Sequence, residues 1–300
     1  MTTLHLEGIL AAVVTPFDAD GKVDLPGIDR QVDFILGGGA HGVVSTGSTG
    51  EFTSLSMEEQ KSVNAAYARA AQGRGLAIAG AGALTTDASI ELTEAAAEAG
   101  ADAVMIVPPF YDALNFDELL AHYGAISEAV DIPIMYYNLP SATGVDLTPA
   151  QFAQLARETN VSCFKDTGGD ITKLATILLD YPDDIDALNG WDTLTFEGLA
   201  LGAKAGVWGG ASFMPGLAGQ LYQAVAVEGD LARGRELWKL INPICVFLES
   251  HNYAAAIKAG VSLVGNDAGS TRRPIQPLAQ EHRDTFAALL RAAGVEVTGR

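Results

Sequence analysis

Three hundred residues with 48% hydrophobic and 18% charged side chains can fill one large barrel or two ordinary domains with a well-packed interior. A formal net charge of −19 argues against nucleic acid and anionic membranes as partners, because phosphate is repelled over most of such a surface; a screened field still leaves room for an anionic substrate held by local donors. No run approaches the roughly 18 apolar residues of a membrane span, and no charged-then-apolar leader opens the chain, so a cytoplasmic setting is expected.

Taken in chain order, short apolar runs alternate with helical stretches. The strand-like runs are 9–17, 42–47, 76–82, 103–109, 132–138, 161–166, 184–190 and 205–210. Most are apolar throughout, as expected for strands covered on both faces. Helix starts are legible between them: Ser56 with Glu59 reads as a capping box, Asp117-Glu118 opens a later helix, and Thr148-Pro149 puts proline in a first turn. Gly37-Gly38-Gly39 and Gly100 mark helix ends before strands. Eight strand–helix alternations predict a (β/α)8 TIM barrel over residues 1–225, carrying the active site at the strands' C-terminal ends. Helical stretches at about 214–227, 231–248, 252–260 and 277–293 follow, so residues 226–300 are expected to form a C-terminal helical extension packed on the barrel. A doubly wound open sheet is the alternative, but nothing marks a phosphate loop after the first strand.

Several motifs fail on context. Gly37-x-Gly39-x-x-Gly42 has dinucleotide-fingerprint spacing, yet it follows a helix and precedes a strand, the wrong order for presenting a pyrophosphate. His5, His41, His122, His251 and His282 are scattered without metal-ligand spacing, so no metal and no other cofactor is expected. Two cysteines cannot build a disulfide framework, and Cys163 reads as a small buried side chain in a strand.

The lysines are more informative. Lys22 lies in a turn, and Lys61, Lys173, Lys204, Lys239 and Lys258 lie in helical stretches. Lys165 alone falls inside an apolar strand, where alternation puts Val161, Cys163 and Lys165 on one face. Burial disfavours an ammonium, so an amine at a barrel mouth becomes available to attack a carbonyl. A structural lysine paired with Asp166 is the competing reading, and position alone leaves both open. Tyr136-Tyr137 ends the preceding strand and can bring a phenol to the same mouth for proton transfer, unless these rings are rim packing. Gly47-Ser48-Thr49-Gly50-Glu51 ends the second strand. Its glycines let successive N–H groups and two hydroxyls approach a carboxylate as an anion nest.

These residues, with Thr15-Pro16-Phe17, Pro108-Pro109-Phe110-Tyr111, YNLPSATG (137–144), FKDTGGD (164–170) and NGWD (189–192), resemble the dihydrodipicolinate synthase / N-acetylneuraminate lyase family of class I, pyruvate-dependent aldolases. The resemblance runs in order along nearly the whole chain. It implies that Lys165 forms a Schiff base with pyruvate or a related 2-oxo acid, and that Tyr137 transfers protons. Ser48 and Thr49 hold the carboxylate, with a hydroxyl relaying protons to Tyr137, and Gly47 and Val207 join Thr49 in binding substrate. Tyr111 matches a tyrosine contributed across a dimer interface, in a homotetramer built as a dimer of dimers. Members that make dihydrodipicolinate usually carry an arginine after the YN-x-P segment for the carboxylate of aspartate semialdehyde. Here that segment reads Ser141-Ala142-Thr143, and alanine cannot replace a bidentate guanidinium.

Trp191 and Trp208 stand near the ends of strands seven and eight, where they either shape a second-substrate pocket or pack the barrel. The reading is therefore a carbon–carbon lyase or aldolase joining an oxo acid to an aldehyde. Authentic 4-hydroxy-tetrahydrodipicolinate synthase and a keto-deoxy-sugar-acid dehydratase or aldolase are the enzymatic alternatives. A non-catalytic 2-oxo acid sensor is the alternative of another class, though mere binding does not need an amine and a phenol together.

Overall fold

The computed structural model describes residues 6–299, so His5 lies outside the described residues. Eight parallel strands close into a barrel in chain order: β1 (Gly8–Ala12), β2 (Gly42–Ser45), β3 (Leu76–Gly80), β4 (Ala103–Ile106), β5 (Ile134–Asn138), β6 (Val161–Asp166), β7 (Asp186–Asn189) and β8 (Ala205–Trp208). Each falls within one of the predicted runs or starts one residue before it. Between and after them lie α1 (Leu25–Gly37), α2 (Met57–Ala71), α3 (Thr86–Glu98), α4 (Phe116–Ala129), the short α5 (Pro140–Thr143), α6 (Pro149–Glu158), α7 (Ile171–Asp180), α8 (Thr195–Ala200) and α9 (Pro215–Tyr222). The tail supplies α10 (Leu231–Glu249), α11 (Tyr253–Leu263) and α12 (Gln280–Ala292). Among the described residues no helix is long and apolar enough to cross a membrane.

The helices start where local chemistry tells them to. Ser56 and Glu59 form the expected capping box on α2, and Thr148 with Gln151 forms another ahead of Pro149. On α4 the cap is Asn115, whose side chain accepts from the Glu118 N–H while Glu118 answers to the Asn115 N–H. Asp117 and Glu118 are thus first-turn residues, favoured by the positive helix end.

The apolar strands divide their side chains between two cores. Leu10, Val44, Met105, Met135, Cys163, Leu188 and Val207 fill the barrel interior. Val104, Ile134, Tyr136, Phe152, Phe164 and Ile177 pack between strands and helices, with Phe152 and Phe164 stacked at 4.4 Å between ring centroids. The expected single face for Val161, Cys163 and Lys165 is corrected at its first member. Ile134 pairs with Val161, but Met135 pairs with Cys163, so one extra residue bulges out of β6. Val161 accordingly packs in the outer core with Ile134, and alternation to the interior begins at Cys163. Both cysteines are buried and unbridged.

The tail is continuous with the helical layer. One apolar cluster runs from Ile9 and Ile28 through Trp208 and Phe213 to Phe247, Phe286 and Leu290. The chain folds α10 and α11 back towards the C-terminal mouth, where their facing ends meet the loops after β7 and β8.

Candidate active site

Lys165 is the penultimate residue of β6 and Tyr137 the penultimate residue of β5, and the two are register partners. Register partners on adjacent strands share a face, so amine and phenol project together into the mouth. Lys165 is 6% exposed, and its Nζ lies 4.3 Å from the centroid of the Tyr137 ring. Among the described residues no carboxylate lies within 4.0 Å of that ammonium nitrogen. Asp166 points away, as strand alternation requires, and accepts from Asn138 Nδ2 at 2.7 Å and the Gly168 N–H at 2.9 Å. Burial raises the Asp166 pKa, and these two hydrogen bonds oppose the rise. The competing Lys165–Asp166 ion pair is therefore absent.

Tyr136 faces the other way. It packs against Tyr123 and Phe152 in the outer core, where burial raises its pKa. Of the two adjacent tyrosines, alternation makes Tyr137 the phenol at the mouth.

Ser48 comes from the loop after β2, and its Oγ lies 3.4 Å from the Tyr137 hydroxyl. That loop is bracketed by two non-glycine residues in left-handed backbone, Thr46 at φ 42 and Glu51 at φ 57. Such conformations cost about 1–3 kcal/mol each and persist only where neighbours enforce them. Thr46 and Ser45 both donate to Asn64 Oδ1, at 2.6 and 2.7 Å, and Thr15 donates to the Gly50 carbonyl at 2.7 Å.

Ser48, Thr49, Tyr137 and Lys165 meet around a cavity of about 270 Å³, joined by Leu139, Thr167, Gly190, Trp191, Asp192, Glu249 and Tyr253. Gly190 matters sterically: a Cβ there would stand 2.6 Å from Lys165 Cγ and 2.7 Å from Cε, so only glycine lets the lysine stem pass. Gly47 is not on the cavity wall; a Cβ on it would approach Met105 Cε at 2.9 Å. Val207 also departs from expectation, lying in the packed barrel interior rather than on the wall. Trp191 lines the cavity, but Trp208, one residue on from inward-facing Val207, turns outward into the helical core. Tyr111 is 86% exposed and borders a separate depression with Leu84, Thr86 and His122. In a single chain it does not meet the other candidates.

Three acidic or phenolic groups on the wall escaped sequence reasoning. Tyr253, at the start of α11, donates to the Asp192 carboxylate at 2.8 Å and accepts from the Gly209 N–H at 3.2 Å. Burial pushes the Asp192 pKa up to about 7; the Tyr253 bond and the charge of Lys165 restrain the rise. Glu249, the last residue of α10, accepts from the Thr193 N–H at 2.8 Å and its hydroxyl at 3.0 Å. Asp192 belongs to the NGWD run already singled out, but its tail partners leave no local signal. Among the described residues no three His, Cys, Asp or Glu side chains converge so that they could hold a metal ion.

An amine beside a phenol, a serine hydroxyl 3.4 Å from that phenol, and the Ser48–Thr49 loop on the same cavity together suit imine chemistry on a small carboxylate-bearing ketone. Comparisons with known proteins point the same way. Residues 5–293 match the model of the "Dihydrodipicolinate synthetase family". The sequence is 34% identical to a 4-hydroxy-tetrahydrodipicolinate synthase of Methanoculleus marisnigri over 275 residues, 91% of this chain and 94% of that protein. It is 35% identical to one of Thermomicrobium roseum over 285 residues, 95% and 94% of the two chains. Among solved structures, the chloride-inhibited dihydrodipicolinate synthase of Acinetobacter baumannii in complex with pyruvate superposes with a TM-score of 0.93 at 32% identity, covering 97% of this chain and all of that one. YagE of E. coli K12, a prophage protein of the same family solved with pyruvate, gives 0.92 at 27% identity, covering 98% and 100%.

Proposed function

The chain belongs to the dihydrodipicolinate synthetase family, and from that membership we propose that it forms or cleaves a carbon–carbon bond between a 2-oxo acid, pyruvate or a close relative, and an aldehyde, through a Schiff base on Lys165. The observation that carries this reading is the Lys165 amine itself, buried, without an ion-pair partner among the described residues, and facing both Tyr137 and the cavity.

In this account Lys165 Nζ attacks the ketone carbon, and Tyr137 passes a proton to the carbinolamine oxygen, which leaves as water. The protonated imine withdraws electrons from the neighbouring carbon, which gives its proton to the Tyr137 oxygen and becomes an enamine carbon. The enamine carbon bonds to the aldehyde carbon, and the aldehyde oxygen takes a proton relayed through Tyr137. Water then hydrolyses the imine and restores the amine. Run backwards, the same steps cleave the bond. Thr49 and the loop N–H groups hold the carboxylate, and Ser48 hands protons to and from Tyr137. No metal or organic cofactor takes part.

Among the described residues the ionisable acidic groups on the wall beside Lys165 are Asp192 and Glu249, and no arginine stands there or at 141–143. An aldehyde bearing hydroxyl donors suits that wall better than one bearing a second carboxylate. A second reading, 4-hydroxy-tetrahydrodipicolinate synthase proper, is favoured by the names of the similar proteins. The proposal also has Tyr111 completing the relay of a neighbouring copy within a homotetramer, in keeping with the exposure of Tyr111 at 86% and Leu84 at 54%. A cytoplasmic setting is part of the same proposal.

Pyruvate offered with a panel of sugar, aromatic and aspartate semialdehyde partners tests the reading. We expect product with a polyhydroxylated aldehyde, loss of product in Lys165→Ala, and a drop of about 10²–10⁴-fold in kcat for Tyr137→Phe. Preference for aspartate semialdehyde would favour the second reading. Binding of pyruvate with no turnover of any partner would leave a 2-oxo acid sensor.

A further inference from the structure

The loop that carries Ser48 and Thr49 is held by more than its own turn. Glu51, its left-handed last residue, has a side chain 0% exposed, with Oε1 accepting from Lys258 Nζ at 2.7 Å and Oε2 accepting from the Arg272 N–H at 2.8 Å. Lys258 lies on α11, more than two hundred positions away in sequence, and is equally buried. Its ammonium also donates to the Ser270 carbonyl at 3.0 Å and stands 4.1 Å from the Phe17 ring centroid. The Arg272 guanidinium covers the same ring at 4.3 Å. It grips both oxygens of Glu59, at 2.7 and 2.6 Å, and the carbonyls of Gly21 and Ser54.

A buried ion pair contributes little net stability, because desolvation of both charges offsets their attraction; its best-attested use is to fix one arrangement against alternatives. Here the arrangement at issue is a loop whose two ends both occupy backbone that disfavours L side chains. Thr46 is tied to the barrel through Asn64, whereas Glu51 is tied to the C-terminal tail. The tail therefore anchors one end of the loop that carries Ser48 and Thr49.

We propose that Lys258 and Arg272, acting through Glu51, are positioning residues for the oxo acid's carboxylate: they hold the Ser48–Thr49 loop in its ligand-binding form. The proposal rests on the reading of that loop as the carboxylate site. Lys258→Met keeps the stem and removes the charge; it should raise the KM for pyruvate about tenfold or more, with a smaller fall in kcat as Ser48 leaves Tyr137. Borohydride should still trap pyruvate on Lys165 in the variant, at correspondingly higher concentration. Glu51→Gln keeps the volume of the side chain and should show the same split. The double variant should be little worse than either single one, because both break one chain of contacts. If Lys258→Met is recovered unfolded, Glu51→Gln carries the test. A folded variant that melts earlier yet keeps the wild-type KM would show a structural role only and overturn the proposal. A wild-type chain that borohydride cannot trap with pyruvate would instead overturn the functional reading, and this inference with it.

Discussion

At the scale of single residues, Asp192 makes the sharpest prediction. An ordinary carboxyl in an unfolded chain titrates near 3.9, whereas burial holds that of Asp192 up to about 7 in the fold. Between about pH 4 and 7 the unfolded chain therefore releases a proton that the folded chain keeps, and this group's contribution to stability falls as pH rises, levelling off above 7. Asp192→Asn, which can still accept from Tyr253, should lose that dependence. Urea midpoints across the window should show the stability of the wild type relative to the variant shrinking with pH; a constant difference would mean Asp192 is ionised throughout. Lys165, Tyr137, Ser48 and Thr49 were readable in the sequence because each sits at or just after a strand end, where period-two alternation and glycine spacing are local signals. Asp192 was not, because its phenolic partner lies 61 positions away and nothing at either position announces the other. Gly47 sits in the loop after β2 against Met105, and Val207 faces the packed barrel interior, so nothing in the local pattern separates a cavity-lining residue from a packed one at these two positions.

At the scale of elements, the helices declare themselves through caps, and the strands through apolar runs that both cores require. Thr148 closes a capping box on α6 in an exposed position and is not among the residues that line the cavity. Thr148→Ala should cost about 1 kcal/mol, read as a lower urea midpoint at unchanged slope, with catalytic constants untouched. A loss within error of zero would mean the remaining first-turn contacts suffice. Alternation misled at one element only. The extra residue in β6 turns Val161 outward while Cys163 and Lys165 stay inward, and a bulge of one residue leaves no mark on hydrophobic pattern. Pattern reading succeeds at the mouth end of that strand, where Lys165 lies, because the bulge lies at the other.

At the scale of the whole molecule, eight alternations of apolar run and helix implied barrel closure, since parallel strands need right-handed crossovers and eight of them close on themselves. What pattern could not convey is how far the tail enters the chemistry. Read as helices packed on the barrel, it also supplies Glu249 and Tyr253 to the cavity and Lys258 and Arg272 to the loop that carries Ser48. Helix periodicity reports which face is apolar, not which distant loop its polar residues reach. The proposed chemistry rests on one amine, Lys165. Incubation with pyruvate and borohydride, followed by intact mass and peptide mapping, tests that amine directly. The account predicts one reduced pyruvate per chain, located on Lys165 and absent from Lys165→Ala; an unmodified chain, or an adduct on another lysine, would contradict it.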